Sequence, residues 1–129
     1  MTFIKGLRLN KEFAEVYNKG GSVVNRFLVL YYLPKDQEYT RVGFSVGKKF
    51  GNAVKRNRMK RILREICRLH MKQINKGFNC IIIARPRGAG ENYQTIEKSF
   101  LKLADKARLL RKEMLDCEIP SDSGDPVLS

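Results

Sequence analysis

The segment 39–64 holds nine Lys and Arg and no Asp or Glu. Its densest part runs Lys48-Lys49-Phe50-Gly51-Asn52-Ala53-Val54-Lys55-Arg56-Asn57-Arg58-Met59-Lys60-Arg61-Ile62-Leu63-Arg64. Apolar residues recur through it at helical spacing, so one face must enter a core while the cations stay on another. A solvated face is the usual fate of a short charge run. This run has no interleaved acids and belongs to a chain of net charge +13. So much like charge repels itself unless an anion neutralises it, which points to a polyphosphate partner, nucleic acid above all.

The charge is unevenly spread. Residues 1–112 hold all 26 Lys and Arg but only eight acids, and the last 17 residues hold the other five acids. A chain of 129 residues suits one domain with a modest core. We read residues 1–116 as a single RNA-binding domain and 117–129 (CEIPSDSGDPVLS) as an acidic, disordered tail. No apolar run reaches the length of a membrane span, and the N-terminus MTFIKGLRLN does not read as a secretory signal. Cys67, Cys80 and Cys117 are odd in number and lack CxxC spacing, which argues against a disulfide framework or a zinc site. Cys67 and Cys80 sit in apolar contexts and read as small core residues. A reducing cytoplasm fits.

Asn10 is placed to cap a helix over Lys11–Lys19 that stops at Gly20-Gly21, with Phe13, Val16 and Tyr17 on one face. Ser22-Val23-Val24 adds a short strand. Residues 27–33 and 41–47 are strands, the second alternating with Val42, Phe44 and Val46 to one face. Together they are expected to form an antiparallel hairpin. A long helix follows, roughly 53–74, with Val54, Met59, Ile62, Leu63, Ile66 and Leu69 as its buried stripe. Arg56, Lys60, Arg64 and Arg68, four apart, make a basic ridge. Cys80-Ile81-Ile82-Ile83-Ala84 is apolar throughout, as a central strand is. A last helix spans about 93–114 with Ile96, Phe100, Leu103, Ala107 and Leu110 inward. The order is α-β-β-β-α-β-α.

The search for a protein active site comes up nearly empty. The one histidine, His70, lies near the apolar stripe of the long helix and reads as a boundary residue. No Ser-His-Asp set, metal cluster or phosphate-binding glycine motif is present in the sequence. Glu12 and Glu15 read as a charged outer face. Binding signals are better: basic ridges grip phosphates by charge and counterion release. Phe13, Tyr17 and Tyr31 are suited to stacking unpaired bases, with ordinary core packing as the competing use.

The stretch Arg41-Val42-Gly43-Phe44-Ser45-Val46-Gly47-Lys48-Lys49-Phe50-Gly51-Asn52-Ala53-Val54-Lys55-Arg56-Asn57-Arg58-Met59-Lys60-Arg61 closely resembles the signature of the bacterial ribonuclease P protein component. Its "RNR" element is Arg56-Asn57-Arg58. Phe13-Ala14-Glu15-Val16-Tyr17 with Gly20 and Ser22 looks like the family's first helix and turn. Asn25-Arg26, Tyr31 and Ile81-Ile82-Ile83-Ala84-Arg85 also match. The likeness covers about residues 7–112 and leaves out the acidic tail. Tyr17 stands where the family often has a second Phe.

The resemblance implies an α/β (α+β) two-layer sandwich: a mixed, mostly antiparallel four-stranded sheet, three helices and a left-handed βαβ crossover. It also implies the protein subunit of a ribonucleoprotein that removes the 5′ leader from precursor tRNA. The RNA subunit is then the catalyst, using Mg²⁺, and the protein supplies no catalytic residue and no metal site. Lys48, Lys49, Asn52, Lys55, Arg56, Asn57, Arg58, Lys60, Arg61 and Arg64 are expected to dock the ribonuclease P RNA. Phe13, Tyr17, Arg26, Tyr31, Ser45 and Lys48 are expected to hold the single-stranded leader. Arg85 and Arg87 form a third candidate phosphate surface. The protein is expected to be monomeric apart from its RNA. A ribosomal or assembly protein would share the charge argument without the RNR pattern. A protein-only nuclease would need clustered acids for two metals, and the basic stretch has none.

Overall fold

The computed structural model describes residues 4–6 and 10–110. The acidic tail and Cys117 lie outside the described residues. Five strands form one sheet: β1 (Ile4–Gly6), β2 (Gly21–Val24), β3 (Leu28–Pro34), β4 (Thr40–Val46) and β5 (Phe78–Ala84), in the order β1-β4-β5-β3-β2. The helices are α1 (Asn10–Lys19), α2 (Ala53–Leu69) and α3 (Tyr93–Lys106). β2 to β5 are the four strands expected, and among them two pairings are antiparallel and one parallel. β1 is an addition with no clear sequence signal; it pairs parallel to β4, Ile4 opposite Thr40.

The expected hairpin between 27–33 and 41–47 does not form. β5 lies between the two strands, antiparallel to β3 (Leu28 opposite Ala84) and parallel to β4 (Val46 opposite Ala84). The physical reason is burial. Ile81 and Ile82 point to opposite faces and both are fully buried, so β5 gains most from the centre of the sheet. The 35–39 segment consequently arches over the start of β5 instead of turning tightly. Lys35 N donates to Gly77 O at 2.8 Å and Gly77 N donates to Tyr39 O at 3.1 Å. Gly77 holds φ at 90°, a left-handed conformation natural to glycine.

One face of the sheet carries Leu28, Leu30, Val42, Val46, Cys80, Ile82 and Ala84, packed under α2 and α3. Val42, Phe44 and Val46 share this face as expected. The inward residues of α3 are all buried: Ile96, Phe100 and Leu103, with Ala107 and Leu110 just beyond its end. Cys67 and Cys80 are buried too, and burial pushes the Cys67 thiol up to about 12 and the Cys80 thiol up as well. Among the described residues, the helix that crosses the other face is α1, through Val16 against Ile81, with Phe13, Tyr31, Leu33 and Ile83 around them. Among the described residues, the two-layer sandwich is thus joined by one helix on its second side.

Two expectations for the long helix need correction. α2 ends at Leu69, and a short 3-10 turn, Met71–Gln73, carries the chain to Ile74. Val54 is 76% exposed and Leu69 53%, so neither belongs to the buried stripe. That stripe is Met59, Leu63, Ile66 and Cys67. At 3.6 residues per turn Val54 falls nearly opposite to it.

Candidate nucleic-acid interface

Phe50 is buried and anchors the 3-10 turn Lys48–Phe50, which leaves Lys48 and Lys49 exposed just beyond β4. Gly51 follows with φ 154°, a conformation that side chains rarely adopt. Asn52 then caps α2: its Oδ1 accepts from Lys55 N at 3.0 Å. Arg56 Nη1 donates to Gly51 O at 2.9 Å and ties the turn to the helix. Asn52→Ala should therefore cost about 1 kcal/mol in urea unfolding, with Asn52→Asp retaining most of it. Equal stability of the alanine variant would show that the cap contributes nothing.

Around this start, Lys48, Lys49, Asn52, Lys55, Asn57, Arg58, Arg61 and Arg64 are exposed, while Arg56 and Lys60 are half-buried. Among the described residues, no carboxylate pairs with any of their cations. The ion pairs are Lys35–Glu15, Arg41–Glu12, Arg68–Glu65, His70–Glu97 and Lys76–Glu38. Five acids are thus engaged elsewhere, and the helix start keeps its positive charge, to which the helix dipole adds. The ridge effectively ends at Arg64, whose guanidinium sits 6.0 Å from the Phe44 ring centre. Arg68, the next in line, is held by Glu65 at 3.0 Å.

The second expected surface lies on the face under α1. Tyr17, 39% exposed, meets Tyr31 edge-on with ring centres 4.9 Å apart, and Phe13 lies 6.5 Å from Tyr17. Partial burial, and secondarily Tyr31, raise the Tyr17 phenol above its ordinary pKa. Strand register lays rows across this face. One is Ser22-Tyr31-Ile81-Gly43, and the next is Val24-Val29-Ile83-Ser45. Val24 is 48% exposed, and Val29, Ile83 and Ser45 are half-buried, so this row forms an open apolar floor beside the rings. Lys48 stands just past the Ser45 end. Glu15, at 3.1 Å from Lys35 Nζ, and Glu12, paired with Arg41, fasten α1 over the sheet. They do more than dress an outer face.

The structure brings Phe13, Tyr17, Tyr31 and Ser45 to one face, and puts Arg26 elsewhere. Arg26 stands on the β2–β3 turn, 5.8 Å from the Phe27 ring centre, beside a cavity against α3. Arg85 is half-buried and its Nη1 donates to Asn25 O at 2.7 Å, so it braces that turn; Arg87 is exposed. His70 bridges helices, with Nε2 at 2.7 Å from Glu97 and Nδ1 at 2.5 Å from Gln73. Among the described residues, no group of three or more His, Cys, Asp or Glu is placed to hold a metal ion. Sequence reasoning missed Lys98, Lys102 and Lys106, which line the same cavity as Arg26. Their spacing of four along α3 was the available signal.

A ribonuclease P family model matches residues 3–108. The ribonuclease P protein component of Natranaerobius thermophilus is 39% identical over 115 residues, covering 89% of this chain and 100% of the relative. The solved RNase P protein of Staphylococcus aureus matches with a TM-score of 0.77 at 34% identity, covering 82% of this chain and 97% of that one. The RNase P protein of Thermotoga maritima matches with a TM-score of 0.74 at 32% identity, covering 79% and 96%.

Proposed function

The chain belongs to the bacterial ribonuclease P protein family, and from that premise we propose how its surfaces divide the work. As the protein subunit of an endoribonuclease holoenzyme, it partners ribonuclease P RNA in removing the 5′ leader from precursor tRNA. We assign the start of α2, from Lys48 to Arg64, to the catalytic RNA, and the face of Phe13, Tyr17, Tyr31, Ser45 and Lys48 to the leader. Arg26 extends that path at the end of β2. The observation that carries this reading is a helix start whose cations are matched by no carboxylate among the described residues.

The protein screens the repulsion between two RNAs and fixes the leader's course. Phosphate and stacking contacts tolerate many sequences, which suits a leader that differs between substrates. Mg²⁺ belongs to the RNA in this scheme. The start of α2 presents a dense cluster of cations, which repel a dication, so no step is routed through a protein-bound metal. We place the protein in the cytoplasm, monomeric apart from its RNA. Among the described residues, no helix is long and apolar enough to cross a membrane.

The direct test combines the purified chain, cognate ribonuclease P RNA and precursor tRNA at low Mg²⁺. Leader removal should require the RNA and be accelerated by the protein. Cleavage by the protein alone, or no acceleration, would overturn the reading.

A further inference from the structure

The cavity beside Arg26 lies between the β2–β3 turn and α3. Its volume is about 340 Å³, at the lower end of the ligand-site range. Phe27 and Leu103 give it apolar walls, and Arg26, Lys98, Lys102 and Lys106 also line it. All four cations are exposed, and among the described residues none is paired with a carboxylate. The helix dipole accounts for Lys106 in the last turn of α3. It does not account for Lys98, or for Arg26 on a separate element.

The wall is braced rather than loose. Asn25 Oδ1 accepts from Phe27 N, Leu28 N and Ser99 Oγ at 3.1, 3.0 and 2.9 Å. Its Nδ2 donates to Ser99 O at 3.0 Å, and Arg85 holds its carbonyl from β5. The turn is thus locked to α3 through a buried serine. A preformed apolar slot with a cationic rim matches a nucleotide: base inside, phosphates on the rim.

The sheet supplies a route to it. The floor row Val24-Val29-Ile83-Ser45 begins near Lys48 and ends at Val24, and Val24 also lines the cavity. Crossing from β4 to β2 takes three strand spacings, about 14 Å. We propose that this cavity is a second single-strand RNA site, which receives the 5′-distal nucleotides of the leader after it has crossed the sheet. The proposal rests on the leader path assigned above.

The test uses holoenzyme carrying Lys98→Ala with Lys102→Ala, both exposed positions, and precursors with leaders of about 4 and about 12 nucleotides. Affinity for the long-leader precursor should fall about tenfold, and its log–log salt slope by about 1.4 for two lost phosphate contacts. The short-leader precursor and assembly with ribonuclease P RNA should be unchanged. Equal losses for both leaders, weakened assembly, or no change would each overturn the second site. Phe13→Ala holoenzyme, measured alongside, should lose affinity for both precursors. If it does while the lysine variant binds like wild type, the distal site fails and the leader path survives. If neither variant responds to the leader, both fail.

Discussion

Replacing Arg58 and Arg61 together by alanine is expected to weaken assembly with ribonuclease P RNA by about 2–4 kcal/mol at low salt, given about 1–2 kcal/mol per charge-assisted contact. It should also flatten the log–log salt dependence of assembly by about 1.4–1.8, since each phosphate contact contributes about 0.7–0.9. Both side chains are exposed and pair with no acid among the described residues, so their loss should leave the fold intact. Arg56 is a less clean probe because it also holds the Gly51 carbonyl. Its removal mixes a lost phosphate contact with a loosened turn. Assembly titrated across salt concentrations decides the matter, and an unchanged slope would mean the helix start does not meet the RNA backbone.

Phe13→Ala should lower holoenzyme affinity for precursor tRNA by about 1–3 kcal/mol, the worth of one stacked base, and leave leaderless tRNA unaffected. The structure sharpens this test. Phe13 is only partly buried and touches the small Val16–Ile81 cluster, apart from the main core under α2 and α3. Truncation should therefore leave the domain folded. A variant that melts early, or loses both tRNAs equally, would return Phe13 to ordinary packing and sink its stacking role.

Much of the candidate site's geometry was legible because it is local in sequence. The start of α2 carries its cap at Asn52, its turn at Gly51 and its cations within a single stretch. Neighbouring side chains on one helix need no knowledge of the rest of the chain. Tyr31 and Ser45 were legible in a weaker sense, through alternation, which puts each on a definite strand face without naming its neighbours. Arg26 was grouped with the aromatic rings, yet a turn after β2 carries it to α3. The cavity was invisible for the same reason, since Arg26 and Lys102 are brought together by the packing of α3 on β2 and β3, with the Asn25–Ser99 lock as part of it.

The sequence by itself determined the identity of nearly every element, most of the apolar stripes of α2 and α3, and the density of positive charge at the helix start. Periodicity and charge density are properties of contiguous residues, so they survive without a fold. Tertiary structure alone decided that β5 separates β3 from β4, that α1 crosses the face opposite α2 and α3, and which cations keep no acidic partner among the described residues. Those outcomes depend on which distant segments bury most surface together and on through-space distances between charges, neither of which is written in neighbouring residues.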